Sequence, residues 1–197
     1  MGKNGIGVLF ASIAFVAILA GCSGEGNLTV KNEGTTEFQG YVENQSVIIN
    51  PEASYTTSIY IGKTLGFIGP TDLPVTITGS AATKRAFSED VTVTRDETTT
   101  YRIIDDVGAL NFTNAFSLQV NAVSMKMCDS TQFGPNLLPA GHPVAPGTAK
   151  VIQVDPACWD ILVNYGREEF LDTLFAIPVD VGQVINIAWI PGYVYTP

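Results

Sequence analysis

The chain has 197 residues, with 10 Lys and Arg against 19 Asp and Glu, which gives a formal net charge of −9. A chain this acidic repels phosphate groups, so we exclude nucleic acid and anionic lipid headgroups as electrostatic partners. Charged residues make up only 15% of the sequence and hydrophobic residues 46%. This balance, with many Val, Ile, Thr, Phe and Tyr residues, is typical of a folded protein rich in β-strands rather than of a disordered chain.

The N-terminal residues have the layout of a secretory signal. Lys3 supplies a positive charge, an apolar run follows from near Ile6, and small residues precede Cys22. The run is roughly 15 residues long, whereas a membrane-spanning helix needs about 20. Charged, apolar and small regions in this order predict a cleaved signal peptide at residues 1–21.

The end of this signal, Leu19-Ala20-Gly21-Cys22, resembles the lipobox of bacterial lipoproteins. The resemblance implies that the thiol of Cys22 is lipidated and that the signal is cut before it, so that the mature chain begins at Cys22. Two or more acyl chains hold a protein on a membrane stably. Ser23, rather than Asp, follows the cysteine, which favours the outer membrane of the bacterial envelope over the inner one. An ordinary signal peptide with a chance cysteine, or a short membrane anchor, is the alternative.

Two further cysteines, Cys128 and Cys158, remain in the mature chain. Exported proteins usually pair such cysteines, so we predict a structural disulfide between them. Free thiols, or a redox or metal pair, are the alternatives. No Cys-x-x-Cys spacing is present and His142 is the only histidine, which argues against the redox and metal interpretations.

Short runs of alternating apolar and polar residues, separated by turn residues, recur after the signal. They lie at residues 28–31, 38–42, 46–49, 55–61, 75–78, 91–93, 101–103, 110–113, 151–154, 158–163 and 183–187. Short strands with turns about every 8 to 12 residues are typical of a β-sandwich or barrel. The best helical candidate is a short turn at residues 168–171.

The pattern of the first strand returns after a joint at residues 105–108. The segment 110–114 (LNFTN) repeats the layout of the segment 28–32 (LTVKN). We therefore predict an all-β protein with two small antiparallel β-sandwich units, Ig-like or transthyretin-like, in tandem after the cleaved signal peptide. The lipidated cysteine and a tether occupy residues 22–26, the first unit residues 27–106 and the second unit residues 107–197. One larger sandwich is the alternative.

The second unit carries three distinctive stretches: Phe133-Gly134-Pro135-Asn136-Leu137-Leu138, Pro146-Gly147, and Cys158-Trp159-Asp160-Ile161. Together they resemble a small β-sandwich module that recurs in secreted bacterial proteins of unassigned function. The resemblance covers roughly residues 109–190 and implies a fold without an activity. Pro and Gly together favour a tight turn. We expect Asp160, between apolar neighbours on a strand, to cap a turn with its carboxylate.

The sequence contains no recognisable catalytic set. Nucleophilic catalysis needs a base beside the nucleophile, and His142 lies alone in a loop between turn residues. Adjacent carboxylates such as Glu168-Glu169 solvate turns, because neighbours on a strand point to opposite faces. We therefore expect no enzyme activity and no catalytic, cofactor-binding or metal-binding residue.

Three aromatic residues lie close together at the C-terminus: Trp189, Tyr193 and Tyr195. Aromatic side chains exposed on a rigid β scaffold often bind sugars or partner proteins, which makes these residues a candidate binding surface. Packing of Trp189 in the core, followed by a Pro-ended tail, is the interpretation that we favour, and the binding surface is the alternative.

The signal and the β units together predict a membrane-anchored envelope lipoprotein that acts as a non-enzymatic binding or structural module. Its expected partners are the membrane, through the lipid anchor, and an envelope protein or a glycan. The alternative function is a carbohydrate- or ligand-binding surface lipoprotein that uses the C-terminal aromatic residues.

Overall fold

The computed structural model describes residues 24–62, 71–166 and 170–192, and these residues form 13 β-strands without a helix. The signal peptide and Cys22 lie outside them. The strands, in chain order, are β1 (Glu25–Asn32), β2 (Phe38–Val42), β3 (Gln45–Ile49), β4 (Ser54–Tyr60), β5 (Asp72–Ala81), β6 (Lys84–Thr94), β7 (Thr98–Ile103), β8 (Gly108–Asn114), β9 (Val120–Met127), β10 (Ala149–Val154), β11 (Ala157–Tyr165), β12 (Phe170–Val179) and β13 (Val184–Trp189). In the described part of the chain, no helix has the length and hydrophobicity that crossing a membrane requires.

The first unit consists of two facing sheets. One has the strand order β4-β1-β7 and the other has the order β3-β2-β5-β6. Alternate side chains of these strands point inward, because successive residues of a strand point to opposite faces. They form one hydrophobic core, whose buried members include Leu28, Val30, Phe38, Val42, Val47, Ile49, Ile59, Ile61, Val75, Ile77, Val93 and Ile103.

The second unit repeats this arrangement. Its sheets have the orders β10-β8-β13 and β12-β11-β9. They enclose a separate core, whose fully buried members include Leu110, Phe112, Val120, Val123, Ile161, Val163, Ile177, Ile187 and Trp189. Strand order therefore matches β1 with β8, β4 with β10, β7 with β13 and β2 with β9.

The predicted all-β tandem of two sandwich units is confirmed. One feature differs: β1 pairs parallel with β7, and β8 pairs parallel with β13. The first and last strands of each unit lie side by side in the same direction, because the chain passes through the facing sheet between them. Alternation of side chains predicts which face is buried and carries no information on strand direction.

Two predictions about the second unit's strands are wrong or incomplete. The sequence pattern predicts no strand for β9 or β12, and it favours a helical turn at residues 168–171. Phe170 and Leu171 belong to β12, while residues 167–169 lie outside the described part of the chain. The sequence of β12 is FLDTLFAIPV, and its bulge and proline interrupt the two-residue period by which strands are recognised.

The two units are stacked end to end. β1 runs from Glu25 to Asn32, and the loop after Asn32 contacts the second unit. β8 begins at Gly108 beside this contact and runs away from it to Asn114. We call the far end of the second unit, where β8 ends at Asn114 and β13 ends at Trp189, the tip.

Candidate functional site

The junction between the units is organised by the carboxylate of Asp105. It accepts hydrogen bonds from the backbone N–H of Thr35 (2.9 Å) and the hydroxyl of Thr83 (2.5 Å). The Thr35 hydroxyl donates to the carbonyl of Gly182, in the turn between β12 and β13. A Cβ at Gly182 would lie 2.6 Å from the Asp105 carboxylate, so this close approach requires glycine. Asp105 thus joins the linker to two loops of the first unit, and Thr35 donates the hydrogen bond from one of these loops to the turn of the second unit.

A second set of contacts lies beside the junction. The hairpin between β5 and β6 contacts β10. The side-chain amide of Gln153 on β10 donates to the carbonyls of Ala81 (2.7 Å) and Lys84 (3.0 Å). Arg85 pairs with Asp155 at 2.7 Å, although both side chains are exposed. Exposed ion pairs of this kind contribute at most about 1 kcal/mol. Of the contacts between the hairpin and the second unit, the hydrogen bonds of Gln153 therefore carry more weight than the Arg85 ion pair.

A shallow groove of about 460 Å³ opens between this hairpin and the second unit. Its lining residues are Ser80, Ala81, Ala82, Ala86, Leu137, Val151, Ile152 and Gln153. These side chains are small, aliphatic or amide groups without a titratable member. The groove can accept a surface contact, and among its lining residues the Ser80 hydroxyl has no titratable neighbour to act as its base.

The tip holds a cluster of aromatic rings around Trp189. The Trp189 ring lies 5.0 Å from the Tyr165 ring, 6.1 Å from Phe112 and 6.2 Å from Phe116. Phe170 extends the cluster from Tyr165 at 5.7 Å and is exposed to solvent. Such edge and offset contacts stabilise aromatic pairs beyond the area that they bury.

The core packing favoured for Trp189 is confirmed, because its side chain is fully buried, and the alternative that places Trp189 on an exposed binding surface is wrong. Its indole N–H donates to the carboxylate of Asp172 at 2.9 Å, and the same oxygen accepts the backbone N–H of Gly192 at 3.1 Å. Trp189 is thus the buried centre of the aromatic cluster at the tip, and its side chain is not accessible to a binding partner. Tyr193 and Tyr195 lie outside the described residues.

The predicted disulfide is present, and it joins the end of β9 to the start of β11. Cys128 and Cys158 have Cα atoms 5.4 Å apart. The backbone N–H of Cys128 also donates to the carbonyl of Cys158. The link fixes the second sheet of the unit at the end that faces the junction.

Asp160 caps a β-bulge. β12 has one more residue than β11 between two aligned pairs, Trp159–Ile177 and Ile161–Leu174. In this bulge Ala176 has φ +56°, and its backbone N–H donates to the Asp160 carboxylate at 2.9 Å. The bulge leaves an N–H outside the ladder, and the carboxylate supplies its partner. The expected capping role is therefore correct, with a bulge in place of a turn.

Asp160 also forms a buried ion pair with Lys126, whose Nζ lies 2.7 Å from the carboxylate. Burial of Asp160 raises its pKa, but the hydrogen bonds from Lys126 and from the Ala176 N–H, with the nearby positive charge, outweigh burial and lower the pKa overall. The Lys126 ammonium lies over the Phe133 ring, 5.5 Å from its centre. Asp160 is therefore an ionised structural anchor.

The stretch from Phe133 to Leu138 replaces a strand of the first unit. It runs beside β9, where the Asn136 side chain accepts the N–H groups of Val123 and Leu138, both at 3.0 Å. This stretch is distinctive in the sequence as a whole, but no role is predicted there for Asn136, so sequence reasoning missed it. An Asn after a Gly-Pro turn beside an unpaired strand edge is the signal that could have found it.

The remaining candidates do not converge on one point. His142 is exposed, and its backbone N–H donates to the carbonyl of Pro139. Within residues 24–62, 71–166 and 170–192, no group of three His, Cys, Asp or Glu side chains is placed to hold a metal ion. Tyr41 and Tyr60 are exposed on different sheets of the first unit.

No protein-family model and no curated protein matches this chain. Among solved structures, the TIE protein of Bacillus anthracis is similar over 84% of this chain and 34% of its own, with 11% identity and a TM-score of 0.33. This chain thus spans about a third of that protein. A DUF3823 family protein of Bacteroides ovatus has 14% identity and a TM-score of 0.24, over 78% of this chain and 97% of its own. A DUF3823 family protein of Parabacteroides merdae has 11% identity and a TM-score of 0.24, over 72% and 90%.

Proposed function

We propose that this protein is a lipid-anchored component of the bacterial cell envelope that acts as a non-enzymatic binding or structural module. The observation that carries the proposal is the short distance between the lipobox cysteine and the fold. β1 begins at Glu25, close after Cys22 in the chain. A segment of about three residues spans at most about 11 Å. A lipid on Cys22 would hold the first unit against the membrane, and the second unit would extend away from it.

The end-to-end stacking supports a role in presentation. Thr35 bonds to Asp105 of the linker and to Gly182 of the second unit, and with this contact between the units the tip would stand at the far end from the anchor. The exposed apolar residues Leu118, Phe170 and Ile190 lie at this tip. Exposed apolar side chains beside one another are typical of surfaces that contact another protein.

Metabolic labelling with an alkyne fatty acid tests the anchor. We expect the wild-type chain to incorporate label and to fractionate with the outer membrane. Cys22→Ser should lose both the label and the membrane association, while the matched control Ser23→Ala keeps them. Label on Cys22→Ser, or a wild-type chain without label, would contradict the anchor.

Cross-linking in intact cells tests the binding role. We expect one dominant envelope protein to be captured by the wild-type chain, and cross-linked residues should map to the tip or to a sheet face. Absence of any enriched partner, combined with turnover of a substrate by the purified protein, would count against a non-enzymatic module.

The ligand-binding alternative rests on Tyr193 and Tyr195, since Trp189 is buried. A glycan array separates it from the main proposal. Binding to a glycan that Tyr193→Ala and Tyr195→Ala both abolish would favour the alternative, and a silent array would remove it.

A further inference from the structure

β12 is an exposed edge strand with an apolar outer face. It pairs with β11 on one side and with no other described strand on the opposite side. Leu171 is 63% exposed and Phe175 is 65% exposed, and Thr173 lies between them on the same face. The free edge of such a strand presents unpaired backbone N–H and C=O groups, which is a template for pairing with another strand.

The charged residues, prolines and bulges that usually keep an edge strand from pairing with another chain are scarce along the first part of β12. The segment from Phe170 to Phe175 contains one charged residue, Asp172. Its carboxylate is turned to the Trp189 indole and to the backbone of Gly192, so it does not guard the edge. Protection begins only afterwards, where the bulge at Ala176 and then Pro178 interrupt the strand.

Two other edges carry the protection that this segment lacks. β6 carries Glu89 opposite the buried Ile77, and the Glu89 carboxylate accepts the Tyr101 hydroxyl at 2.8 Å. β10 carries Lys150, and its Gln153 is held by the hairpin of the first unit. Inward-pointing charges, lysines and a covering loop are the devices that prevent edge pairing. The uncharged edge strands β3, β4 and β13 each expose at most one large apolar side chain, whereas β12 exposes Leu171 and Phe175 on one face.

We propose that two copies of this chain dimerise through antiparallel pairing of β12 with β12, centred on Thr173. Pairing about this residue places Thr173 opposite Thr173 of the second copy. It also places Leu171 opposite Phe175 of the second copy, and Phe175 opposite Leu171, on the same outer face. Both exposed apolar residues are then covered by cross-strand contacts, and the two three-stranded sheets become one of six strands.

The sequence around Thr173 argues for a second copy as the occupant. In the order Leu-x-Thr-x-Phe, an apolar residue lies two positions before Thr173 and another lies two positions after it. Two antiparallel copies therefore pair apolar with apolar side chains on both sides of the axis, which is what a two-fold interface requires. The chain carries a net charge of −9, so two copies repel each other over most of their surface. The segment from Phe170 to Phe175 has one acidic residue, which is already hydrogen-bonded within its own unit, so pairing of two copies there adds little to that repulsion.

A disulfide trap in the full chain tests the dimer. Residues directly opposite each other in an antiparallel pair have Cα atoms about 4.5 or 5.5 Å apart. Both distances allow a disulfide. We expect Thr173→Cys, under mild oxidation, to give a dimer on a non-reducing gel with most of the chain cross-linked. Ile48→Cys, at a residue 66% exposed on β3, is the matched control and should give at least tenfold less dimer.

A second variant links the trap to the proposed contacts. Adding Phe175→Lys to Thr173→Cys places a lysine at each side of the axis and should reduce the cross-linked dimer at least tenfold. A monomeric Thr173→Cys chain would overturn the proposal, and so would equal cross-linking at Thr173 and Ile48. A mixed disulfide with a different protein would also overturn it and would point to a foreign strand on this edge.

The trap and the anchor experiment fail independently. The inference concerns β12 alone and does not rest on lipidation. A wild-type chain that forms a dimer through Cys22 would contradict the proposed lipid anchor. The trap is therefore repeated with Cys22→Ser, and in that background dimer formation depends on Thr173→Cys and Phe175→Lys as before.

Discussion

Asn32 and Asn114 end the first strands of the two units and make the same pattern of hydrogen bonds there. The Asn114 amide donates to the carbonyls of Leu118 (2.9 Å) and Val144 (3.0 Å), and its oxygen accepts the N–H of Phe116 at 3.0 Å. Both asparagines are buried. The repeated side chain thus fixes the loop that follows the first strand of each unit.

Asn114→Ala should lower the free energy of unfolding by about 2–4 kcal/mol, because it removes three hydrogen bonds to backbone groups around a buried loop. Denaturant unfolding measures this change. Asn111→Ala removes only a surface contact to Asn186 and is the control, with an expected effect within about 0.5 kcal/mol. Equal effects of the two variants would contradict the structural role of Asn114.

Trp189→Ala should destabilise the second unit by about 3–5 kcal/mol, because it empties the centre of the aromatic cluster. The same burial predicts that Trp189 is shielded from solvent. In a Trp159→Phe background, in which Trp189 is the remaining tryptophan, its emission should be blue-shifted and weakly quenched by acrylamide. Quenching as strong as that of free tryptophan would show that Trp189 is exposed after all.

Asp160→Asn should lower the free energy of unfolding by about 1–3 kcal/mol at neutral pH, since it removes the charged partner of Lys126, whose ammonium keeps only its hydrogen bond to the Ser130 carbonyl. The pKa of folded Asp160 lies below the ordinary value of 3.8, so its contribution is complete above that value and is lost as the pH falls through the lowered pKa. The wild type and the variant should therefore converge in stability in acid.

Unfolding curves between neutral and acidic pH measure this convergence. Asp90→Asn, at an exposed carboxylate that accepts the Thr76 hydroxyl, is the control and should follow the wild type. A stability difference between wild type and Asp160→Asn that stays constant down to the acid end would contradict the ion pair.

Reduction of the disulfide should lower the melting temperature of the wild-type protein. Cys128 and Cys158 are separated by 30 residues in sequence. A loop of this length gives a loss of about 3–4 kcal/mol in the chain-entropy model. A double variant with alanine at both positions should melt at the temperature of the reduced protein and should not respond to reductant. A response of the double variant would mean that reductant acts elsewhere.

Asp105→Ala should loosen the junction without unfolding either unit. The variant removes the acceptor shared by the Thr35 N–H and the Thr83 hydroxyl. Calorimetry should then resolve two transitions where the wild type shows closer coupling, and small-angle scattering should report a wider range of particle sizes. Asp90→Ala is the matched control. Unchanged scattering and melting of the Asp105 variant would show that other contacts hold the units together.

Local sequence determined much of this fold. The alternation of apolar and polar side chains predicted strands such as β1, β2 and β8, because one face of each strand is buried and the other faces solvent. The Pro146-Gly147 pair predicted a tight turn, and Gly147 has φ +74° there. The pattern of residues 28–32 returns at residues 110–114, and this repeat predicted two units. Each copy ends in an asparagine that fixes the following loop in the same way.

Several features depend on contacts between distant residues, and local patterns do not report them. The direction of β7 relative to β1 is set by how the chain crosses between sheets. The position of Trp189 depends on Tyr165 and Phe116, which reach it from other parts of the unit. An aromatic residue near a C-terminus looks the same in the sequence whether such partners exist or not.

The sequence by itself determined the cysteine pair, the β class and the tandem layout, because each rests on residue types, on their composition or on a repeated local pattern. The tertiary structure alone decided that Asp160 caps a bulge, that Thr35 bonds to both Asp105 and Gly182 where the units meet, and that β12 is left as an apolar edge. Each of these features depends on which strands and loops become neighbours. That is decided by the packing of residues distant in sequence, when the two hydrophobic cores form.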